Sequence, residues 1–257
     1  MRRRALGLSA WPPFLLAACS VAGPKDPPSD IPVLGISVGA TPVFDGDRSV
    51  GGRPLRYGVF GSGLPVTLVF AGIHGSEPAG VDLALRFLES LAGDPRSVDR
   101  GTIVVAPLVN PDGYERRERW NARGVDLNRN FPAWNWDGSA RGGPFPASEP
   151  ETRFVLRLLE RFRPTRIVSV HAPLGCVNWD GPARRLARAL SQESGLPPRE
   201  DIGYPTPGSF GSYAGRQLGV PTITLELSDR DLVDPEDLPR LVRTLLLAHR
   251  GARAPLL

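Results

Sequence analysis

The sequence predicts an α/β fold: a single domain with an open, twisted, mostly parallel (mixed) central sheet flanked by helices. Three observations carry this. Short apolar runs alternate along the chain with amphipathic helical stretches. The run Val66 to Ala71 is nearly continuous, as a strand buried on both faces requires, and Ile167 to Val170 and Thr222 to Leu227 read as further strands. Each run ends beside a residue able to bind metal or move a proton: His74 and Glu77, His171, and Glu226. Sheets of this kind bind ligands beyond the carboxyl ends of their strands.

In order along the chain, Arg2 to Arg4 and the apolar stretch Ala5 to Ala18 read as a targeting leader, too short to span a bilayer. The leader occupies residues 1–18 and ends in Leu16-Ala17-Ala18-Cys19. Ala22 to Pro32 is rich in Pro, Asp and Gly and reads as a tether within residues 19–35. The folded domain is expected over residues 36–257. The hydrophobic share of the whole chain, 41%, is enough for a substantial core. Without Arg2, Arg3 and Arg4, 28 basic residues face 27 acidic ones, a charge of about +1. No nucleic-acid partner is expected from that balance.

Leu55 to Phe60 reads as a strand, with Gly61-Ser62-Gly63 as the turn of a hairpin into Val66. Pro78 suits the first turn of a helix carrying Val81, Leu83, Leu85, Phe87, Leu88 and Leu91. Thr102 to Pro107 is the next strand. Asn110 to Gly143 has no clear periodicity, and a loop that long in a compact domain is usually functional. Ser148 to Phe162 reads as a helix, with Ser148 as N-cap and Glu151 at the capping-box position. Helices are expected at Pro182 to Glu193, ended by Gly195, at Ser209 to Leu218, and at Pro235 to Arg250.

The chain holds three histidines, so there are few ways to build an imidazole site. His74 and Glu77 share one short turn and can reach one ion from a common backbone segment. With His171 they form a three-ligand set that leaves a fourth position open, as catalytic zinc sites do. Glu226 is then the natural base for a water at that position. His249 has no partner motif and reads as a surface or C-terminal-turn histidine. Trp134, Trp136 and Trp179 read either as cleft-lining aromatics or as loop anchors.

Read with Asn110-Pro111-Asp112-Gly113 and Gly124-Val125-Asp126-Leu127-Asn128-Arg129-Asn130-Phe131-Pro132, this set closely resembles the zinc carboxypeptidases of the M14 type. The resemblance runs from about Arg53 to Leu227. At His171-Ala172-Pro173-Leu174 and at Ile202 to Gly211 it narrows to a branch of that family acting on peptidoglycan peptides, which cuts the γ-D-glutamyl bond to meso-diaminopimelate. The resemblance implies one zinc ion on His74, Glu77 and His171, with Glu226 as general base. It makes Arg119, among the neighbouring Arg116, Arg117 and Arg123, the arginine that stabilises the oxyanion. It gives Asn128 and Arg129 the substrate carboxylate. Asp126 either orients His74 or caps its own turn. Tyr204 stands nearest the family's mobile tyrosine, but one residue closer to Gly208-Ser209, so it either closes over substrate or supports its loop. Phe210 either lines a side-chain pocket or packs in the core. Leu16 to Cys19 resembles a bacterial lipobox. That implies lipidation of Cys19, a membrane partner through that anchor, and a periplasmic location at the outer membrane. The implied substrate is a muropeptide or peptide. The alternatives are a general metallocarboxypeptidase or N-acyl amino-acid deacylase and, in another class, a non-catalytic cell-wall binding lipoprotein.

Overall fold

The computed structural model describes residues 46–251, which belong to one unit, Val38–Leu257. The leader, Cys19 and the tether lie outside the described residues. Among the described residues no helix is long and apolar enough to cross a membrane.

Seven strands form one sheet: β1 (Gly58–Ser62), β2 (Val66–Phe70), β3 (Gly101–Ala106), β4 (Arg166–His171), β5 (Cys176–Asp180), β6 (Pro198–Arg199) and β7 (Thr222–Glu226), in the order β1-β3-β2-β4-β7-β5-β6. The strands β3, β2, β4 and β7 run parallel; β1 and β5 join antiparallel to β3 and β7. The sheet is therefore mixed and mostly parallel. All residues of β2 and β3 are buried, which explains their continuous apolar character. Helices α1 (Pro78–Gly93), α4 (Arg184–Ser194) and α5 (Leu238–Arg250) cover one face. Helix α3 (Pro150–Phe162) and a π-helical segment, Gly211–Gln217, cover the other, where Val66, Leu68, Phe70, Val104 and Ile167 meet Phe154, Leu158, Phe210 and Tyr213.

The expected hairpin at Gly61 to Gly63 does not form. Strand β3 lies between β1 and β2, pairing Ser62 with Gly101 and Val66 with Thr102. Pro65 has no N–H to donate to a hairpin partner. Its carbonyl instead accepts from the Thr102 N–H at 2.8 Å, and the Gly63 carbonyl accepts from the Thr102 hydroxyl at 2.9 Å. Ser148 is not the cap of α3. Pro150 takes the first helical position and makes Glu149 the N-cap. Ser148 instead donates to Glu149 Oε1 at 2.7 Å and accepts from Asn130 Nδ2 at 2.9 Å. His249 stands in the last turn of α5, as one of its two readings expects, but is buried rather than at the surface. Its Nε2–H donates to the Arg100 carbonyl at 2.6 Å, and its Nδ1 lies 3.0 Å from Thr67 Oγ1. Burial lowers its pKa.

The segment between β3 and α3 contains a short helix that periodicity does not reveal, α2 (Pro111–Arg116). Asn110 caps it through Oδ1, which accepts the Gly113 N–H at 2.9 Å, and Pro111 sits at its start. Asp112, fully buried, accepts from the Gly51 N–H at 2.7 Å and from Arg53 Nη1 at 2.6 Å. These bonds tie α2 to the 51–53 segment. The rest of the segment is held by α3. Asn121 Nδ2 donates to Glu149 Oε2 (2.8 Å) and Glu151 Oε2 (3.2 Å), while Asn121 Oδ1 accepts from the N–H groups of Arg123 and Val125. Asp112→Ala leaves a buried N–H and a guanidinium without their acceptor. It should lower stability by about 1–3 kcal/mol in denaturant melts; unchanged stability would show that the 51–53 segment repacks around the loss.

Candidate active site

Parallel strands put the functional side chains together. Strand β2 delivers His74 four residues past its end, β4 ends on His171 and β7 ends on Glu226. His171 and Glu226 are register partners, so they stand side by side on adjacent strands. Glu77 occupies the N-cap of α1 but makes no side-chain cap bond. Its carboxylate turns to the histidines instead: Oε1 lies 2.8 Å from His74 Nδ1 and Oε2 lies 3.1 Å from His171 Nδ1. The two Nδ1 atoms are 3.2 Å apart. One ligand atom from each of His74, Glu77 and His171 lies within 4.8 Å of the others, and all three residues are buried. Two imidazole nitrogens and a carboxylate oxygen, converging without an intervening side chain, fit a zinc ion with an open position.

Glycine makes the turn possible. A Cβ on Gly75 would collide with the backbone of Gly113 and Tyr114 in α2. The turn therefore packs backbone to backbone against α2.

Asp126 resolves the two readings of its role by filling both. Its Oδ1 lies 3.2 Å from His74 Nε2 and accepts the Asn128 N–H at 3.0 Å. Accepting the Nε2 proton leaves His74 Nδ1 as the lone-pair nitrogen facing Glu77. Arg119 donates through Nε to Asp126 Oδ2 at 2.9 Å, and its Nη1 stands 3.7 Å from Glu77 Oε1. The competing arginines point elsewhere: Arg123 pairs with Glu149, Arg117 with Asp231 and Arg116 with Glu118. Arg119 alone of the four lines the cleft.

The electrostatics follow from burial and pairing. Burial opposes the charge on Glu77 and Asp126, but His74 and His171 outweigh it at Glu77, and His74, Arg119 and Arg129 outweigh it at Asp126. Both carboxyls stay well below their usual range. Burial disfavours a charged His74, yet Glu77 and Asp126 raise its pKa. Glu226 behaves oppositely. Burial, reinforced by Glu77, raises its pKa, against the opposing pull of His171 and the Leu174 N–H. Glu226 Oε2 accepts that N–H at 3.4 Å.

The cleft has a volume of about 160 Å³ and is lined by His74, Glu77, Arg119, Asn128, Arg129, His171, Tyr204 and Glu226. Asn128 Oδ1 is committed to the Phe210 N–H at 2.9 Å, so only its NH₂ group can donate to a ligand. Arg129 Nη1 is anchored on the Asn128 carbonyl at 2.7 Å. Tyr204 is 49% exposed and hangs over the cleft. Burial and the negative Glu226 push its phenol up.

Phe210 is not a pocket residue. Its ring is 2% exposed and packs edge-on against Phe70 at 4.8 Å and Phe131 at 5.1 Å. A large apolar ring gains more in that aromatic cluster than at a polar cleft wall, and Gly211 lines the cleft instead. Among the tryptophans, Trp134 is 71% exposed and, with Trp179, lines a cavity adjoining the cleft. Asn178, Asp180, Thr224 and Arg230 also line the cleft and are absent from the sequence-based set. The alternation Cys176-Val177-Asn178-Trp179-Asp180, polar residues on one face, was the available signal for two of them.

A model of the zinc carboxypeptidase family matches residues 40–180. Murein peptide amidase A of Escherichia coli (strain K12) is 39% identical over 175 residues, covering 62% of this chain and 69% of that protein. Murein peptide amidase A of Vibrio campbellii (strain ATCC BAA-1116) is 36% identical over 204 residues, covering 70% and 77%. The crystal structure of a murein-tripeptide amidase from Escherichia coli O157 superposes with a TM-score of 0.65 at 31% identity, over 81% of this chain and 91% of that one.

Gly75→Ala should force the His74 turn off α2. Zinc content after dialysis, measured by atomic emission, is expected to fall well below one ion per chain, with a lowered Tm. Full zinc retention would show that the close approach at Gly75 does not position the ligands.

Proposed function

The chain belongs to the zinc carboxypeptidase family, and on that premise we propose that it hydrolyses peptidoglycan peptides at the amide between γ-D-glutamate and meso-diaminopimelate. The observation that carries this reading is the similarity to murein peptide amidase A, 36% over 204 residues, in a zinc metallopeptidase whose cleft gathers His74, Glu77, His171 and Glu226. His74, Glu77 and His171 would hold the zinc, which acidifies water and polarises a carbonyl when bound.

The chain's own groups divide the remaining work. Glu226, ionised, accepts the proton of the attacking water and delivers it to the departing amine of diaminopimelate. Its raised pKa suits both halves of that task. Arg119, fixed by Asp126, holds the negative charge that develops on the carbonyl oxygen. Asn128 and Arg129 bind the α-carboxylate of the leaving residue, with the guanidinium fork suited to a two-point contact. Asp126 keeps the proton of His74 on Nε2. Tyr204 closes the open side of the cleft over the peptide. Lipidation at Cys19 would tether the domain to the outer membrane in the periplasm, beside its substrate.

Release of diaminopimelate from L-Ala-γ-D-Glu-meso-diaminopimelate, followed by chromatography, tests the reading. The tripeptide should be cleaved far faster than peptides ending in ordinary neutral or basic residues. The reverse order would make the protein a general metallocarboxypeptidase, and activity only on N-acyl amino acids would make it a deacylase.

Glu226→Gln should retain zinc and lose about 10²–10⁴-fold in kcat. The wild-type profile of kcat/KM should fall on the acid side above the ordinary glutamate range, because the base works ionised and its pKa is raised. That limb should be missing from the residual activity of Glu226→Gln. An unchanged limb would assign the base elsewhere.

A further inference from the structure

The cleft carries a second charged feature that hydrolysis itself does not use. On β7 and β5, Glu226, Thr224, Asn178 and Asp180 all line it. The register pairs Thr224 with Asn178 and Thr222 with Asp180, so these alternate residues share one face of the sheet. Asp180 thus stands four residue steps from Glu226, roughly 13 Å along the strands. Asn178, Asp180, Ile202, Tyr204 and Thr206 also border the adjoining cavity of about 660 Å³, so the cleft continues past Asp180.

The Asp180 carboxylate is held in place. Its Oδ1 accepts from Arg216 Nε at 2.6 Å. A Cβ on Gly211 would collide with its Oδ2, and one on Gly215 would collide with its Cβ. The two glycines form a notch in the π-helical segment that the Asp180 side chain fills. The Asp180 side chain is only 12% exposed, while that of Arg216 is 58% exposed and borders the adjoining cavity. A fixed carboxylate beside a guanidinium with free donors matches a group that carries an ammonium and a carboxylate on one carbon.

We propose that the Asp180–Arg216 pair is a binding site for an amino-acid zwitterion at the far end of the leaving residue's side chain. The assignment rests on the reading of the protein as a γ-D-glutamyl–diaminopimelate hydrolase. With the scissile amine at Glu226 and the α-carboxylate on Asn128 and Arg129, the side chain of diaminopimelate runs three methylenes toward Asp180 and ends in a second amino-acid centre. Asp180 takes its ammonium and Arg216 its carboxylate. Lysine in the same place offers the ammonium alone, and norleucine neither. A cross-linked stem peptide, whose distal amine is acylated, loses the cation and is a poor substrate.

The test uses the zinc-loaded full chain and three tripeptides, L-Ala-γ-D-Glu followed by meso-diaminopimelate, L-lysine or L-norleucine. Wild type should rank them in that order by kcat/KM. Asp180→Asn, which keeps the shape of the side chain, should lower the ratios of both diaminopimelate and lysine to norleucine by at least about tenfold. Arg216→Gln should lower the ratios of diaminopimelate to lysine and to norleucine alike and leave the ratio of lysine to norleucine unchanged. If the wild type prefers diaminopimelate but both variants keep its ratios, or lose all three activities by one common factor, the pair is merely structural and the assignment is overturned. A wild type that cleaves the three tripeptides without preference for diaminopimelate, or none of them, removes the parent reading and this assignment with it. Thermal melts check folding, and if Asp180→Asn does not fold, the exposed Arg216 variant decides alone.

Discussion

Two imidazole nitrogens 3.2 Å apart, both facing one carboxylate within a buried cluster, set the terms for the rest of this structure. Such a group is costly to assemble. Neutral rings would oppose lone pairs at short range, and charged rings would have to be desolvated. A divalent cation answers every donor at once, and so the fold is organised to keep three remote segments aimed at one point. The central parallel strands do most of this. Ladder bonds on both sides fix β2, β4 and β7 against sliding, so the ends of neighbouring strands hold their relative height. The side-by-side placement of His171 and Glu226 is a direct consequence of that register.

The ligands are only as steady as what lies behind them. Asp126 holds His74, and Asp126 itself belongs to a long segment with little regular structure. That segment keeps its shape through side-chain bonds to buried backbone groups. Asn110 serves the N–H of Gly113, Asn121 those of Arg123 and Val125, and Asn130 Nδ2 donates to the Gly142 carbonyl at 2.7 Å. Buried amides and carboxylates here substitute for the ladder that a strand would have supplied. Burial raises the pKa of Glu151, which has Asn121 and the Val50 N–H as partners. The site therefore stands on two kinds of support: backbone ladders under His171 and Glu226, and a polar side-chain lattice under His74, Arg119 and Arg129.

This division explains what could be read from the chain. His74 was legible because it follows a nearly unbroken apolar run, which marks a strand buried on both faces; Glu77 shares its turn, and His171 and Glu226 close the short runs Ile167 to Val170 and Thr222 to Leu225, rich in β-branched residues. Strand β5 was not legible, since it alternates Asn178 and Asp180 with Val177 and Trp179 and contains no apolar run. The short helix α2 carries no periodicity, though Asn110-Pro111 is a cap signal that could have exposed it. The hairpin reading at Gly61 failed because turn chemistry describes a chain reversal and says nothing about which strand slips into the gap. Ser148 lost the cap to Glu149 because a proline fixes the first helical position more strongly than a serine two residues earlier. Phe210 and His249 show the limit most plainly. Motif position left Phe210 between a pocket and the core, and a lack of partners suggested the surface or a helix end for His249, whereas burial is decided by elements remote in sequence, Phe70 and Phe131 for one, Thr67 and Arg100 for the other.

The same architecture separates reaction from recognition. The groups that would move protons and hold charge sit on the central strands and on the lattice behind them, where a shift of one residue would disturb many ladder bonds or buried amides. The far end of the cleft is built from β5, the loop through Ile202 to Ser209, and a π-helical turn whose Gly211 and Gly215 make room for Asp180. These parts meet the sheet near its edge, beside the two-residue strand β6. Substitution there alters what the cleft can grip while leaving His74, Glu77 and His171 in register. A scaffold arranged in this way can retain one hydrolytic centre and exchange the side chain it accepts.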